Sequence, residues 1–235
     1  MPASSPSPVM RNASLVPVIA IDGPSASGKG TVAQGVASVL GFHYLNSGAL
    51  YRTVAVAAIE AGIDLENESR VSDITLKLKA NFSGDTVELD GRDISQATQT
   101  EEDGTVASRI AALPKVRSAL LERQRAFRRP PGLVADGRDM GTVVFPDAVL
   151  KVYLTASPQV RAERRYKQLI DKGIHANLAA LSRELEERDQ RDADRVVAPL
   201  RPAKDAVLLD SSALSIEQVV DLIVSRFRER TSGKA

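Results

Sequence analysis

Short apolar runs alternating with amphipathic helical stretches predict an α/β fold: a mostly parallel sheet of about five strands with helices on both faces. Three observations carry that expectation. Five runs, Val16–Ile21, His43–Leu45, Leu133–Ala135, Val149–Leu154 and Ala206–Leu209, have the length and setting of buried strands. A glycine-rich loop with one lysine follows the first run. Polar residues stand just after the runs, at Asp22, at Asn46 and Ser47, at Asp136 to Asp139, and at Asp210 with Ser211 and Ser212. A parallel sheet binds its ligand beyond the carboxyl ends of its strands, where these residues would lie.

The first strand leads through Asp22 into Gly23-Pro24-Ser25-Ala26-Ser27-Gly28-Lys29-Gly30-Thr31. A loop of this spacing gathers several backbone N–H groups around one small volume. A helix expected from about Lys29 to Leu40 aims the positive end of its dipole at the same place. Such a nest suits nucleotide phosphates, and Lys29, expected to face solvent or ligand, adds a charge that reaches the β and γ groups. Gly23 and Gly28 allow the sharp turn and the close approach of an anion. The competing reading is a glycine-rich turn with no ligand. Gly30 occupies the slot where a general phosphate loop has its magnesium-binding hydroxyl. Magnesium is therefore expected mainly on water and phosphate oxygens, with Thr31 or Asp136 as the candidate protein donors. No Asn-Lys-x-Asp segment, the guanine-reading element of a GTPase, is present.

Composition limits the alternatives. The chain has 235 residues, 43% of them hydrophobic, enough for one core with a modest insertion. A net charge of +1 supplies no field to recruit nucleic acid or an anionic membrane. The absence of cysteine excludes disulfides, zinc–thiolate sites and cysteine nucleophiles. No apolar run is long enough to span a bilayer. Residues 1–14 hold three prolines and four serines and read as a disordered leader of a cytoplasmic, monomeric protein. A single-domain body is expected over 15–228 and a flexible tail over 229–235. From Ile74 to Ile94 polar and apolar residues alternate, with hairpin turns expected at Ser83-Gly84-Asp85 and Asp90-Gly91. This reads as an antiparallel insert, within about 63–105, before a helix from Val106 to Arg128. A strongly charged stretch lies at about 160–195.

Three clusters accompany the loop. In Asn46-Ser47-Gly48-Ala49-Leu50-Tyr51-Arg52, Ser47 is placed to cap a helix carrying Tyr51 and Arg52, and a phosphate near Arg52 would gain a charge-assisted contact. An ordinary cap beside a surface arginine is the other reading. In Asp136-Gly137-Arg138-Asp139-Met140-Gly141-Thr142, Arg138 would sit between donor and acceptor phosphates; a self-satisfied salt-bridged loop is the alternative. In Glu187 to Arg195, Arg188, Asp192 and Arg195 fall at i, i+4 and i+7 on one helix face, which also suits a solvated ion-pair ladder.

Taken together, IDGPSASGKGT, LNSGALYR, ADGRDMGTVVFPDA and ERDQRDADR resemble the bacterial cytidylate kinase family, from about Val16 to Arg228. The resemblance implies a P-loop NTPase-like sheet, an acceptor-binding insert and a helical lid. It implies transfer of the ATP γ-phosphate to CMP and dCMP with Mg²⁺, and no nucleic-acid or membrane partner. ATP would be held by Gly23 to Thr31, with Lys29 on the transferred group, and by the lid residues Arg161, Arg164 and Arg165. Ser47, Ser108, Arg117 and Asp139 match CMP-binding positions, the last three facing cytosine. Tyr51 and Arg52 match the acceptor-phosphate region, and Arg188 and Asp192 the pentose. Arg195 would reach phosphate, and Arg138 would neutralise the phosphates during transfer. A related kinase acting on UMP, AMP or shikimate shares the loop, and an ATP-dependent switch is the competitor from another class.

Overall fold

The computed structural model describes residues 16–232 except Gly84, Asp85 and Lys172. The leader expected at 1–14 and the turn at Gly84-Asp85 lie outside the described residues. Five parallel strands form one sheet: β1 (Val18–Asp22), β2 (His43–Asn46), β6 (Leu133–Gly137), β7 (Leu150–Thr155) and β8 (Val207–Asp210). Their order across the sheet is β2-β6-β1-β7-β8. Every β1 residue is buried, as a central parallel strand covered on both faces requires. Alternate side chains go to opposite layers. Ile19 and Ile21 pack with helices α1 (Lys29–Leu40) and α8 (Ile216–Ser232), whereas Val18 and Ala20 pack with Leu50, Met140 and Phe145. Each expected strand is present, and each runs one or two residues further towards its carboxyl end than the apolar run. Asp22, Asn46, Asp136 and Asp210 thus belong to strand ends at one rim.

A second apolar cluster joins α2 (Ser47–Glu60), α3 (Glu68–Lys77), α4 (Glu101–Ile110) and α5 (Pro114–Arg125) to a small antiparallel sheet. That sheet comprises β3 (Ala80–Ser83), β4 (Thr86–Leu89) and β5 (Arg92–Asp93). The expected turn at Asp90-Gly91 joins β4 to β5, with positive φ at both residues (49° and 77°), the geometry that suits a two-residue hairpin. The lid stretch folds as α6 (Pro158–Asp171) and α7 (Leu178–Asp194), packed together. Among the described residues no helix is long and apolar enough to cross a membrane.

Four local expectations are corrected. Residues 74–77 are helical: Asn67 caps α3 by accepting from the Arg70 N–H, and Val71 and Thr75 share its buried face while Leu76 points outward. The apparent alternation over Ile74–Leu78 is helical spacing that also fits a strand. The single helix expected over Val106–Arg128 is two helices. Pro114 cannot continue α4, because it lacks an N–H and restricts Leu113, and it starts α5 instead. Ser47 is not the cap of α2; Asn46 is, its Oδ1 accepting from the Ala49 N–H at 2.9 Å. Residues 229–232 of the expected tail continue α8.

Gly23 is fixed by space. A Cβ there would lie 2.0 Å from the Leu154 carbonyl oxygen of β7, and φ is +156°. Gly23→Ala should cost roughly 2–4 kcal/mol of stability by forcing β1 and β7 apart, measured by urea denaturation.

Candidate active site

The loop from Gly23 leaves β1 and enters α1 through Gly28, whose φ of 87° only glycine adopts readily. Helices α2, α3, α4 and α7 each begin with a side-chain cap, from Asn46, Asn67, Thr100 and Asn177. Helix α1 has none. Its first-turn N–H groups keep their capacity for an external anion. The loop borders a cleft of about 850 Å³ with Lys29, Arg52, Asp136, Arg138 and Arg188 on its walls.

Lys29 does not face solvent. Its side chain is buried and its ammonium donates to the Pro24 carbonyl at 2.7 Å. Burial, then the nearby Arg138, hold its pKa well below the ordinary lysine value, while Asp136 opposes them. Asp136, at the end of β6, accepts from the Tyr44 hydroxyl at 3.2 Å, and burial raises its carboxyl. A Cβ on Gly30 would lie 3.8 Å from Asp136 Oδ2, so the absence of a side chain at 30 keeps this carboxylate close to the loop. Thr31 is exposed at the start of α1.

Arg138 donates from Nε to Asp192 Oδ2 at 2.8 Å and from Nη2 to Ser25 Oγ at 2.9 Å. It thereby ties the strand-end loop to α7 and to the phosphate loop. Burial alone would lower Arg138, but Asp192, Asp189 and Asp136 hold it above the ordinary arginine value. Burial pushes Asp192 up, yet Arg138, Arg195 and Arg188 together hold it below the usual carboxylate range. Asp192 also accepts from Ser108 Oγ at 2.8 Å. Ser108 therefore joins the pentose-side residue, whereas Arg117 and Asp139 form their own buried salt bridge. The Arg117 guanidinium stands 5.9 Å from the centre of the Tyr51 ring. The three residues expected to face cytosine are thus split between two adjoining clusters. Arg195 lies just beyond α7, buried, with Nε directed to the Asp192 carbonyl; burial lowers its pKa.

Ser47 is buried in the first turn of α2. A Cβ on Gly137 would fall 2.5 Å from its hydroxyl, which explains a glycine between the acidic and basic residues of that loop. Arg52 and Arg188 meet over Gly104, where a Cβ would lie 2.7 and 2.9 Å from their respective terminal nitrogens. Two guanidinium groups side by side at the cleft concentrate positive charge there. Lid residue Arg161 is buried and reaches Ser25 and Asp189; Arg164 donates to the Ser27 and Ser211 carbonyls; Arg165 donates to the Gln99 carbonyl. A second cavity of about 500 Å³ lies outside the loop, bounded by Thr31, Arg164, Gln168, Ser211 and Leu214. Sequence reasoning singled out Thr31, Arg164 and Ser211 on this wall but not Gln168 or Leu214.

Asp103, on α4 behind Arg52, was also missed. It is buried, 3.7 Å from Arg52, and neither carboxyl oxygen has a hydrogen-bond partner. Burial pushes it up to about 7 against the pull of Arg52 and Arg188. A folded pKa above the unfolded one means that stability is full at low pH and is lost as pH rises from about 4 to about 7. Asp103→Asn should therefore gain on the wild type by roughly 1–2 kcal/mol between pH 5 and pH 8, read from denaturation curves at both pH values.

The cytidylate kinase family model matches residues 19–229. A cytidylate kinase of Bordetella bronchiseptica is 57% identical over 220 residues, which cover 94% of this chain and 99% of that one. A cytidylate kinase of Methylococcus capsulatus is 55% identical over 213 residues, 89% of this chain and 96% of that one. Likeness to solved structures is slighter, with a gluconokinase from Sinorhizobium meliloti 1021 aligning at 16% identity and a TM-score of 0.49 over 93% of this chain and 95% of that one. By its family model and its near full-length relatives, the chain belongs to the cytidylate kinase family.

Proposed function

We propose that the cleft transfers the γ-phosphate of ATP to CMP, and to dCMP, giving CDP or dCDP and ADP. The observation that carries this reading is that an uncapped helix start and Lys29 share one cleft with the neighbouring arginines Arg52 and Arg188. Two cationic groups in one cleft suit two polyanions held end to end.

The chain's residues divide the work. Gly23, Pro24, Ser25, Ala26, Ser27, Gly28, Lys29, Gly30 and Thr31 cradle the ATP phosphates. Lys29 exchanges the Pro24 carbonyl for a phosphate oxygen, and the added negative charge restores its proton affinity. Arg161 and Arg164 approach ATP from the lid, and the second cavity beside Ser211 and Leu214 accommodates adenine. Arg52 holds the acceptor phosphate, Arg188 stands beside it and faces the pentose with Asp192, and Tyr51 lies next to Arg117. Arg117 and Asp139 present donors and an acceptor to cytosine; Ser108, Ser47 and Asp192 complete the nucleoside contacts. Arg138 and Arg195 neutralise charge between the two phosphate groups. The acceptor is a phosphate monoester, already largely ionised near neutral pH, so no strong base is required. Positioning and charge neutralisation in a water-poor cleft supply the rate.

The residues suit a magnesium ion bound mainly by water and nucleotide oxygens. Asp136 stands beside Gly30, Thr31 follows, and among the described residues no group of three or more His, Cys, Asp or Glu side chains is arranged to hold a metal by itself. When bound, magnesium would offset phosphate charge, with Asp136 or Thr31 as the protein donor. We further take the enzyme to act as a cytoplasmic monomer.

A coupled assay offering ATP with CMP, dCMP, UMP and AMP should show turnover with the two cytosine nucleotides well above the others. ATP binding with no phosphorylated acceptor would favour a switch instead. Lys29→Ala should lower kcat at least 100-fold with an unchanged circular dichroism spectrum, measured in the same assay.

A further inference from the structure

Ser25 is the meeting point of three long side chains from distant parts of the chain. Its hydroxyl accepts from Arg138, its carbonyl accepts from Arg161 Nη1 at 3.1 Å, and its N–H donates to Asp189 Oδ1 at 3.0 Å. Asp189 Oδ2 is paired with the same Arg161 Nη1. The carboxylate is thus bidentate, one oxygen on a phosphate-loop N–H and the other on a lid guanidinium. Both partners are ones the preceding reading gives to ATP phosphates. Arg161 is buried, and its Nε is anchored to the Ala156 carbonyl at 3.2 Å, so it cannot swing far to find another anion. Asp189 is one residue from Arg188, which lines the cleft, and lies on α7 three residues before Asp192.

We propose that Asp189 is an internal competitor for the phosphate loop: its carboxylate occupies the Ser25 N–H and Arg161 in the manner of a phosphate oxygen, and nucleotide must displace it to bind. The inference rests on the nucleotide reading above and goes beyond it by naming a residue that sets ATP affinity without being a ligand. Displacement has a mechanical consequence. Asp189 connects α7 to the loop, and Asp192 connects the same helix to Arg138 and Ser108 on the acceptor side. Freeing one carboxylate loosens the helix that carries the other. ATP arrival would thereby release the lid contact that α7 makes with the loop and hand Arg161 to the phosphate.

The opposite role is that Asp189 merely orients Arg161, and the two are separable by sign. A competitor weakens ATP binding in the wild type, so its removal tightens binding. An orienting residue strengthens binding, so its removal weakens it. Calorimetric titration of Asp189→Asn and Asp189→Ala with ATP and with inorganic tripolyphosphate, beside the wild type, reads that sign. The dissociation constants should fall roughly tenfold, about 1.4 kcal/mol, the low end for a charge-assisted hydrogen bond. Both probes should gain by a similar factor, since adenine plays no part. Asp189→Asn is isosteric, and circular dichroism establishes that both variants fold. Dissociation constants that are unchanged or higher in both folded variants, with a wild type that binds, overturn the competitor alone. A wild type that binds neither ATP nor tripolyphosphate overturns the nucleotide reading and the competitor with it.

Discussion

Buried cations in need of counter-charge are the constraint around which this molecule is arranged. Lys29, Arg117, Arg161 and Arg195 are all buried, and Arg138 is nearly so. An isolated charge in such surroundings costs several kcal/mol, so each must be met by an opposite charge or a strong acceptor. The chain meets three of them with carboxylates placed at the seams between elements, and Lys29 and Arg195 with backbone carbonyls. Asp139 takes Arg117, Asp192 takes Arg138, and Asp189 takes Arg161. None of these pairs is local in sequence. Each pins one structural layer to another, so the electrostatics that prepare the cleft also hold its walls in register.

The pairs join α7 to the phosphate loop and to the loop after β6. Helix α7 contributes both Asp189 and Asp192, one reaching the phosphate loop and the other reaching Arg138 and Ser108. A polyanion entering the cleft offers more negative charge than a carboxylate and a better match to a guanidinium fork. It can therefore compete for the cations that Asp189 and Asp192 hold.

The sequence made the sheet and the phosphate loop legible because both are local. Five apolar runs became five parallel strands, and the Gly23–Thr31 spacing became a loop entering α1 at Lys29. Local competition between equivalent signals caused the errors. Asn46 and Ser47 are both good caps, and only the path of the chain out of β2 decides between them. The Ile74–Leu78 pattern fits two periods, and packing of Val71 and Thr75 against the second core selects the helix. Tertiary pairings left no local trace. That Ser108 serves Asp192 instead of standing with Arg117 and Asp139 follows from how α4 meets α7, which the linear chain does not display. The cavity beside Ser211 and Leu214 likewise exists only because α6 lies against the turn after β8.

The same electrostatics account for lysine rather than arginine at position 29. The side chain must be buried at the mouth of α1, with Arg138 close and the positive end of the helix dipole behind it, an environment hostile to a cation. An arginine stays charged wherever it is placed, and its broad fork would need several acceptors in a loop that offers the Pro24 carbonyl. A lysine is a compact donor whose proton affinity responds to its surroundings. Held against one carbonyl and depressed by its neighbours, it is stabilised most when a phosphate arrives.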